Sequence, residues 1–248
     1  MKRAIKRLCE RLGYRIESTR YTPRHFYHPE HLRSLQFDDV ICRYMFEHGE
    51  TCNFIQIGAY DGISTDPLRR YIERCGWRGV MLEPQPGPAA QLRQLYRHNT
   101  NVIILQAALD SVHRTRTLYT VECQGLPKWA GSMASFDRAH ISKHDYFLPT
   151  IEKLIREVRV DCIPFGDAIQ ALPGAPQLDL LQIDAEGADG YILSLFPFEQ
   201  IKPAIIHWEI KNMTKPEQEG ALDLLCAHGY LISRSGNEDM LAVRGEMS

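Results

Sequence analysis

The 248-residue sequence has no CxxC pair, no long apolar run and no excess of positive charge, and each absence removes a class of protein. Its seven cysteines, Cys9, Cys42, Cys52, Cys75, Cys123, Cys162 and Cys226, are scattered and odd in number. That pattern fits neither a metal cluster nor a disulfide framework and predicts a reducing compartment. No stretch approaches the roughly 20 apolar residues of a membrane span, and the first residues lack the apolar core of a secretory signal, so the expected location is cytoplasmic. The net charge of −2 has the wrong sign for a general nucleic-acid partner, whose phosphates favour a basic domain. A complete GxGxxG fingerprint is missing as well, which argues against a plain dinucleotide-binding dehydrogenase.

What is present reads as a soluble globular chain, with 44% hydrophobic and 24% charged residues. Strand-like runs alternate with helical spacing, the signature of one α/β domain. Residues 1–50 read as a helical arm and residues 51–248 as the catalytic-type domain. In the arm, residues 1–13 form a basic helix with Ile5, Leu8 and Leu12 on one face and Lys2, Arg3, Lys6, Arg7 and Arg11 around the rest. Such a helix either touches an anionic membrane surface peripherally or packs on its own domain or on a second copy in a homodimer. Residues 14–30 read as an irregular stretch, and residues 32–48 resume helical spacing through Leu35, Val40, Ile41, Tyr44 and Met45.

Residues 53–67, NFIQIGAYDGISTDP, combine a short buried strand, a turn with Gly58 and Gly62, and a helix start with Pro67 in its first turn. Glycine lets the backbone approach a ligand closely, and helix N–H groups left without partners would face the same ligand. A second strand, residues 79–83, ends in Glu83, about 25 residues after Gly58. A carboxylate there can accept hydrogen bonds from both ribose hydroxyls of an adenosine. Residues 102–109 form a third apolar run and residues 118–122 a shorter strand. Residues 123–176 lose regular alternation and read as a substrate-facing insertion or lid, with a strand at 158–163 and a helix at 165–172. Within it stand Ser132, His140 and His144.

Residues 178–184 are the most apolar strand and end in the acidic series Asp184, Glu186 and Asp189 around Gly187. The next strand, 204–210, carries His207 and Glu209 towards its carboxyl end. A helix over 217–228 and a hairpin over 230–243, turning at Gly236 and Asn237, close the chain.

The segments IQIGAYDG, VMLEP, QAALD and LLQIDAEGAD, in this order and spacing, resemble the FkbM family of methyltransferases over about residues 53–243. The resemblance implies a Rossmann-like class I methyltransferase fold: a seven-stranded, mostly parallel sheet with a closing antiparallel hairpin and helices on both faces. It implies an S-adenosylmethionine-dependent O-methyltransferase acting on sugar or natural-product hydroxyls. The cofactor would lie against Gln56, Gly58, Ala59, Tyr60, Asp61 and Gly62 at its methionine part. Glu83 and Pro84 would stand at the ribose, Ala107 and Ala108 near the adenine, and Asp184 at the inner edge. Gln56 departs from the acidic residue that many methyltransferases carry just before the turn.

Methyl transfer to a hydroxyl needs an aligned oxygen and a proton acceptor. Asp184 leads the candidates for that base, with His144 and His207 as imidazole alternatives. Ser132, His140, Glu186, Asp189 and Glu209 are candidates for the acceptor or for a magnesium ion, which Asp184 and Glu209 would hold. Glu186 and Asp189 read equally well as caps of the helix that follows Gly187. Two other functions stay open: a nucleotide-sugar or NAD-dependent oxidoreductase, and a non-catalytic module that binds a partner.

Overall fold

A computed structural model describes residues 35–64, 66–122, 128–146, 151–174 and 177–244. The basic helix, the irregular stretch, Leu32, Cys9 and Cys123 lie outside the described residues. Helix α1 (Phe37–His48) carries Asp38 and Asp39 in its first turn, where carboxylates suit the dipole, and buries Phe37, Val40, Ile41 and Tyr44. It leads into β1 (Asn53–Ile57), α2 (Arg69–Cys75), β2 (Arg78–Leu82), α3 (Pro86–Leu95), β3 (Val102–Leu105) and β4 (Ala108–Leu109). Next come β5 (Arg114–Val121), β6 (Ala134–Ser135), α4 (Arg138–Ser142), α5 (Ile151–Leu154), β7 (Ile155–Ile163) and α6 (Phe165–Gln170). The chain finishes with β8 (Leu180–Ile183), α7 (Asp189–Leu195), β9 (Ile205–Glu209), α8 (Lys215–Ala227), β10 (Tyr230–Ser235) and β11 (Asp239–Arg244).

The main sheet is mixed, in the order β10-β11-β9-β8-β1-β2-β3. Strands β9, β8, β1, β2 and β3 run parallel to one another, while β11 is antiparallel to both β9 and β10. Strand order reverses between β1 and β8, so the carboxyl ends of these two strands flank the crevice where open α/β sheets bind ligands.

Both faces of the sheet are covered. Alternation sends Ile55, Ile57, Leu181, Ile183, Ile206 and Trp208 to one face, against α6, α7 and α8. Phe54, Leu180, Ile205 and Leu241 pack on the other face against α1, α2 and Leu92 of α3. Because β1 pairs with β8 and β8 with β9 in register, Gln56, Gln182 and His207 form one polar row across three strands. The base of the sheet is tied to α1 by Asp179, whose carboxylate accepts from the Tyr44 hydroxyl at 2.7 Å and the Asn53 N–H at 2.8 Å.

The strand and helix expected at 158–163 and 165–172 appear as β7 and α6, and a second sheet is added to them. Strand β5 pairs with β7 antiparallel over eight residue pairs, from Arg114↔Cys162 to Val121↔Ile155, and β4 and β6 complete a second sheet. Val121, Ala130, Met133, Ile141, Ile151 and Ile155 form a small core of its own. This region is an antiparallel ribbon with a packed cap. The third apolar run is divided, with 102–105 in the main sheet and 108–109 in the ribbon's sheet.

Candidate active site

The crevice between β1 and β8 opens into a cavity of about 970 Å³. Gly58, with φ 78°, leaves β1 so close to β8 that a Cβ on it would stand 1.7 Å from the Asp184 carbonyl oxygen. Only a residue without a side chain fits there. The turn itself uses its donors internally. The N–H groups of Gly58 and Ala59 both go to the Leu82 carbonyl. Those of Ile63 and Ser64 go to Asp61 Oδ1. Asp61 and Gly62 therefore lie outside the cavity lining: Asp61 ties the turn, and Gly62 packs at α3, where an added Cβ would meet Leu92. What the turn presents to a ligand is acceptors.

Glu83 is buried, and its two carboxylate oxygens accept from the Tyr60 N–H at 2.9 Å and the Gln85 N–H at 2.8 Å. Burial pushes its carboxyl up to about 7 despite these bonds. A carboxylate has about four acceptor positions, so these bonds leave Glu83 with capacity for a hydroxyl. Pro84, Ala107 and Ala108 line the cavity beside it. On the other side of the turn, Gln56 Nε2 donates to Asp66 Oδ1 at 3.2 Å, and the Leu68 N–H donates to the same oxygen at 2.8 Å. Asp66 is thus a cavity residue that the sequence reading passes over.

The far wall is acidic. Asp184 directly follows β8 with its side chain exposed to the cavity, where the surrounding walls strip enough water to push its carboxyl upward. Asn212 Nδ2 donates to both Glu186 and Glu209, at 3.1 Å each, and holds these two carboxyl groups side by side. Burial, then the charge of Asp184, pushes Glu186 up to about 7 and Glu209 up to about 8. Asp239 rises to about 6 for the same two reasons. The cation beside this wall, Lys211, pairs with Glu238 at 2.9 Å.

Three sequence candidates fall elsewhere. Asp189 is fully buried, and its oxygens accept from the N–H groups of Ala185 and Gly187 at 3.3 and 3.2 Å. It braces the loop in which Glu186 and Gly187 take φ 48° and 97° and lies outside the cavity lining. His207 sits on the sheet face against Phe37, with ring centroids 4.6 Å apart, and its Nδ1 lies 2.8 Å from Gln182 Oε1. Burial pushes it down to about 4, and the cavity reaches Gln182 but not His207. His144 also lies outside the lining.

Ser132 and His140 do line the cavity. His140 is buried, with Nδ1 3.5 Å from Lys143 Nζ and its Nε2 lacking a hydrogen-bond partner among the described residues, and burial lowers its pKa. Among the described residues, no three His, Cys, Asp or Glu side chains form a group that could hold a metal ion.

Residues the sequence reading missed include Asn212, Asp239, Arg116 and Tyr191 on the cavity wall. The last two converge on Asp110. Burial alone would raise this carboxyl, but Arg114, Tyr191, the Ser111 N–H and Arg116 together hold it well below the usual range. Tyr191 thereby joins α7 to the ribbon.

An α/β domain with an acceptor-rich cavity at its strand reversal defines a class of ligand-binding enzyme folds. The methyltransferase FkbM domain profile matches residues 56–232, and the chain belongs to that family. No curated protein matches the chain. Among solved structures it is similar to a methyltransferase FkbM from Methylobacillus flagellatus KT, at 13% identity over 87% of this chain and 50% of that one, with TM-score 0.48. The chain therefore spans half the length of that protein. It is also similar to a precorrin-6y C5,15-methyltransferase from Geobacter metallireducens GS-15, at 11% identity, 87% and 95% coverage and TM-score 0.41. An O-methyltransferase from Bacillus cereus in complex with SAH gives 12%, 98% and 90%, and 0.40.

Proposed function

We propose that the protein is an S-adenosylmethionine-dependent O-methyltransferase acting on a hydroxyl of a sugar, glycan or glycosylated natural product. One observation carries the reading: a single cavity of about 970 Å³ is lined at once by Glu83 and by the Asp184, Glu186 and Glu209 wall. The residues present fit the cofactor. Gly58 leaves room where a Cβ would block the strand junction, Glu83 keeps acceptor capacity for a ribose hydroxyl, and Ala107 and Ala108 line the cavity with apolar side chains suited to an adenine. When bound, S-adenosylmethionine supplies a methyl group on a sulfonium.

The remaining chemistry belongs to the chain. Asp184 takes the proton of the acceptor hydroxyl, because its raised pKa makes it a stronger base than an ordinary aspartate. Glu186 and Glu209, fixed by Asn212, accept hydrogen bonds from neighbouring hydroxyls of a polyol and set its orientation. Calorimetric titration of S-adenosylhomocysteine into the wild type and into Glu83→Ala tests the reading. Binding to the wild type and its loss in the variant support it. Transfer of labelled methyl to a panel of sugars, run with and without magnesium, then identifies the acceptor and any metal requirement. No binding of S-adenosylhomocysteine to the wild type refutes the reading, and NADH binding in its place would favour the oxidoreductase.

A further inference from the structure

We propose that Asp66, assisted by Gln56, receives the α-ammonium group of the cofactor's methionine part. The inference rests on the cofactor reading above and assigns a side chain within it.

Gln56 stands at the end of β1, where a neutral amide cannot match a positive charge, and it is 97% buried at 3% exposure. Its Nε2 is committed to Asp66 Oδ1, which also accepts from the Leu68 N–H. Two acceptor oxygens are left over, Gln56 Oε1 and Asp66 Oδ2, both buried and both without a hydrogen-bond partner among the described residues. Both residues line the cavity beside Gly58.

Buried acceptors without donors are rare because each forfeits the hydrogen bond it had in water. Two of them on adjacent side chains, one an acid, call for a ligand that brings several N–H donors and a positive charge. An ammonium group brings three N–H groups. The N–H groups of Gly58, Ala59, Ile63 and Ser64 are already bonded to Leu82 and Asp61, so these donors do not compete for the two oxygens. Among the described residues no ion pair is made by Asp66: the nearby Arg69 pairs with Glu73 at 2.8 Å. Burial pushes the Asp66 carboxyl upward even though the Leu68 N–H, Gln56 and the nearby Arg69 act in the opposite direction. The negative charge expected at position 56 is thus supplied from ten residues further on.

Calorimetry with S-adenosylhomocysteine and with its des-amino analogue, in which hydrogen replaces the α-amino group, tests this directly. The wild type is expected to prefer S-adenosylhomocysteine by about 10- to 100-fold, the range for a hydrogen bond to a charged group. Asp66→Asn is expected to bind both ligands as weakly as the wild type binds the analogue. Gln56→Glu in the Asp66→Asn background is expected to regain the preference, which a purely structural role for Asp66 would not allow. Asp66→Ser, compact enough to keep the turn, serves as a second variant with the same expectation, and melting without ligand checks the fold of each. A variant that keeps the full preference for the amino compound overturns the assignment, as does a wild type that binds both ligands equally. A wild type that binds neither overturns the cofactor reading itself.

Discussion

Gly58→Ala separates the contact between two loops from the ordinary cost of a left-handed backbone. Gly58 has φ 78°, and its added Cβ would lie 1.7 Å from the Asp184 carbonyl oxygen and 2.8 Å from the carbonyl carbon. Both are backbone atoms, and neither side can give easily. The Asp184 N–H is bonded to the Ile57 carbonyl at 3.0 Å, and Gly58 and Ala59 are both held to Leu82. Relief therefore means parting β1 from β8 at the crevice. The positive φ costs about 1 kcal/mol and the forced overpacking about 1–3 kcal/mol more, so a total near 3 kcal/mol is expected. Gly76→Ala is the control: φ is 65° and nothing lies within 4 Å of the added Cβ, so only the first cost of about 1 kcal/mol applies. Urea unfolding followed by far-ultraviolet circular dichroism measures both. Calorimetry should show S-adenosylhomocysteine binding lost in Gly58→Ala and kept in Gly76→Ala. Equal destabilisation of the two variants would refute the described contact between the turn and the Asp184 loop.

Tyr44→Phe removes a donor from buried Asp179, which keeps the Asn53 N–H and Gln177 Nε2, and is expected to cost about 1–2 kcal/mol in urea unfolding. No loss of stability would show that α1 is held by its apolar face alone. Stability without ligand is expected to fall as pH rises from 6.5 to 8. Glu209 is pushed up to about 8 and Glu83, Glu186 and Asp189 to about 7, whereas the unfolded chain loses these protons near pH 4 to 5. The folded state then binds more protons than the unfolded state, and stability is lost as pH passes through the folded values. His207, pushed down to about 4, acts in the opposite sense until the unfolded imidazole has titrated at about 6.5, so its opposition fades over the lower part of this window and the fall is steepest above it. Glu209→Gln should flatten the fall, and an unchanged slope in denaturant midpoint against pH would count against a shared carboxyl cluster.

The turn at Gly58 and the end of β2 at Glu83 are legible in the sequence because both follow from local rules, a glycine after an apolar run and an acid where that run stops. His207 is misplaced by such a reading for a definable reason. Strand β9 is buried on both faces, so Ile205, Ile206 and Trp208 give no polar parity to say which side a residue takes. Only the register Gln182↔His207 shows that the imidazole lies in the row under α1. The ribbon fails for the opposite reason: Thr115, Arg116 and Thr117 form a long strand with few apolar anchors, held by pairing to β7 rather than by burial. Asp66 is invisible because its meaning lies in Gln56, which it meets only when the turn folds back. Asp189 could be read two ways, and its full burial decides for the loop brace.

The donors of the Gly58 turn and the carboxyl groups around the cavity belong to one electrostatic arrangement. Closing the strand junction consumes the N–H groups at Leu82 and Asp61, so the strand-end side of the crevice is rich in acceptors: Gln56, Asp66, Glu83, Asp184, Glu186 and Glu209. Burial pushes all five of these acids upward, which means that the folded chain without ligand carries them at a cost in stability. A ligand rich in donors or positive charge relieves that cost by stabilising the ionised forms, and an anionic ligand adds to it. The stabilisation given by such a ligand therefore grows with pH over the same window in which the empty protein weakens. Recognition of a donor-rich ligand and the pH-dependence of the fold thus have a common origin in how the backbone closes one turn.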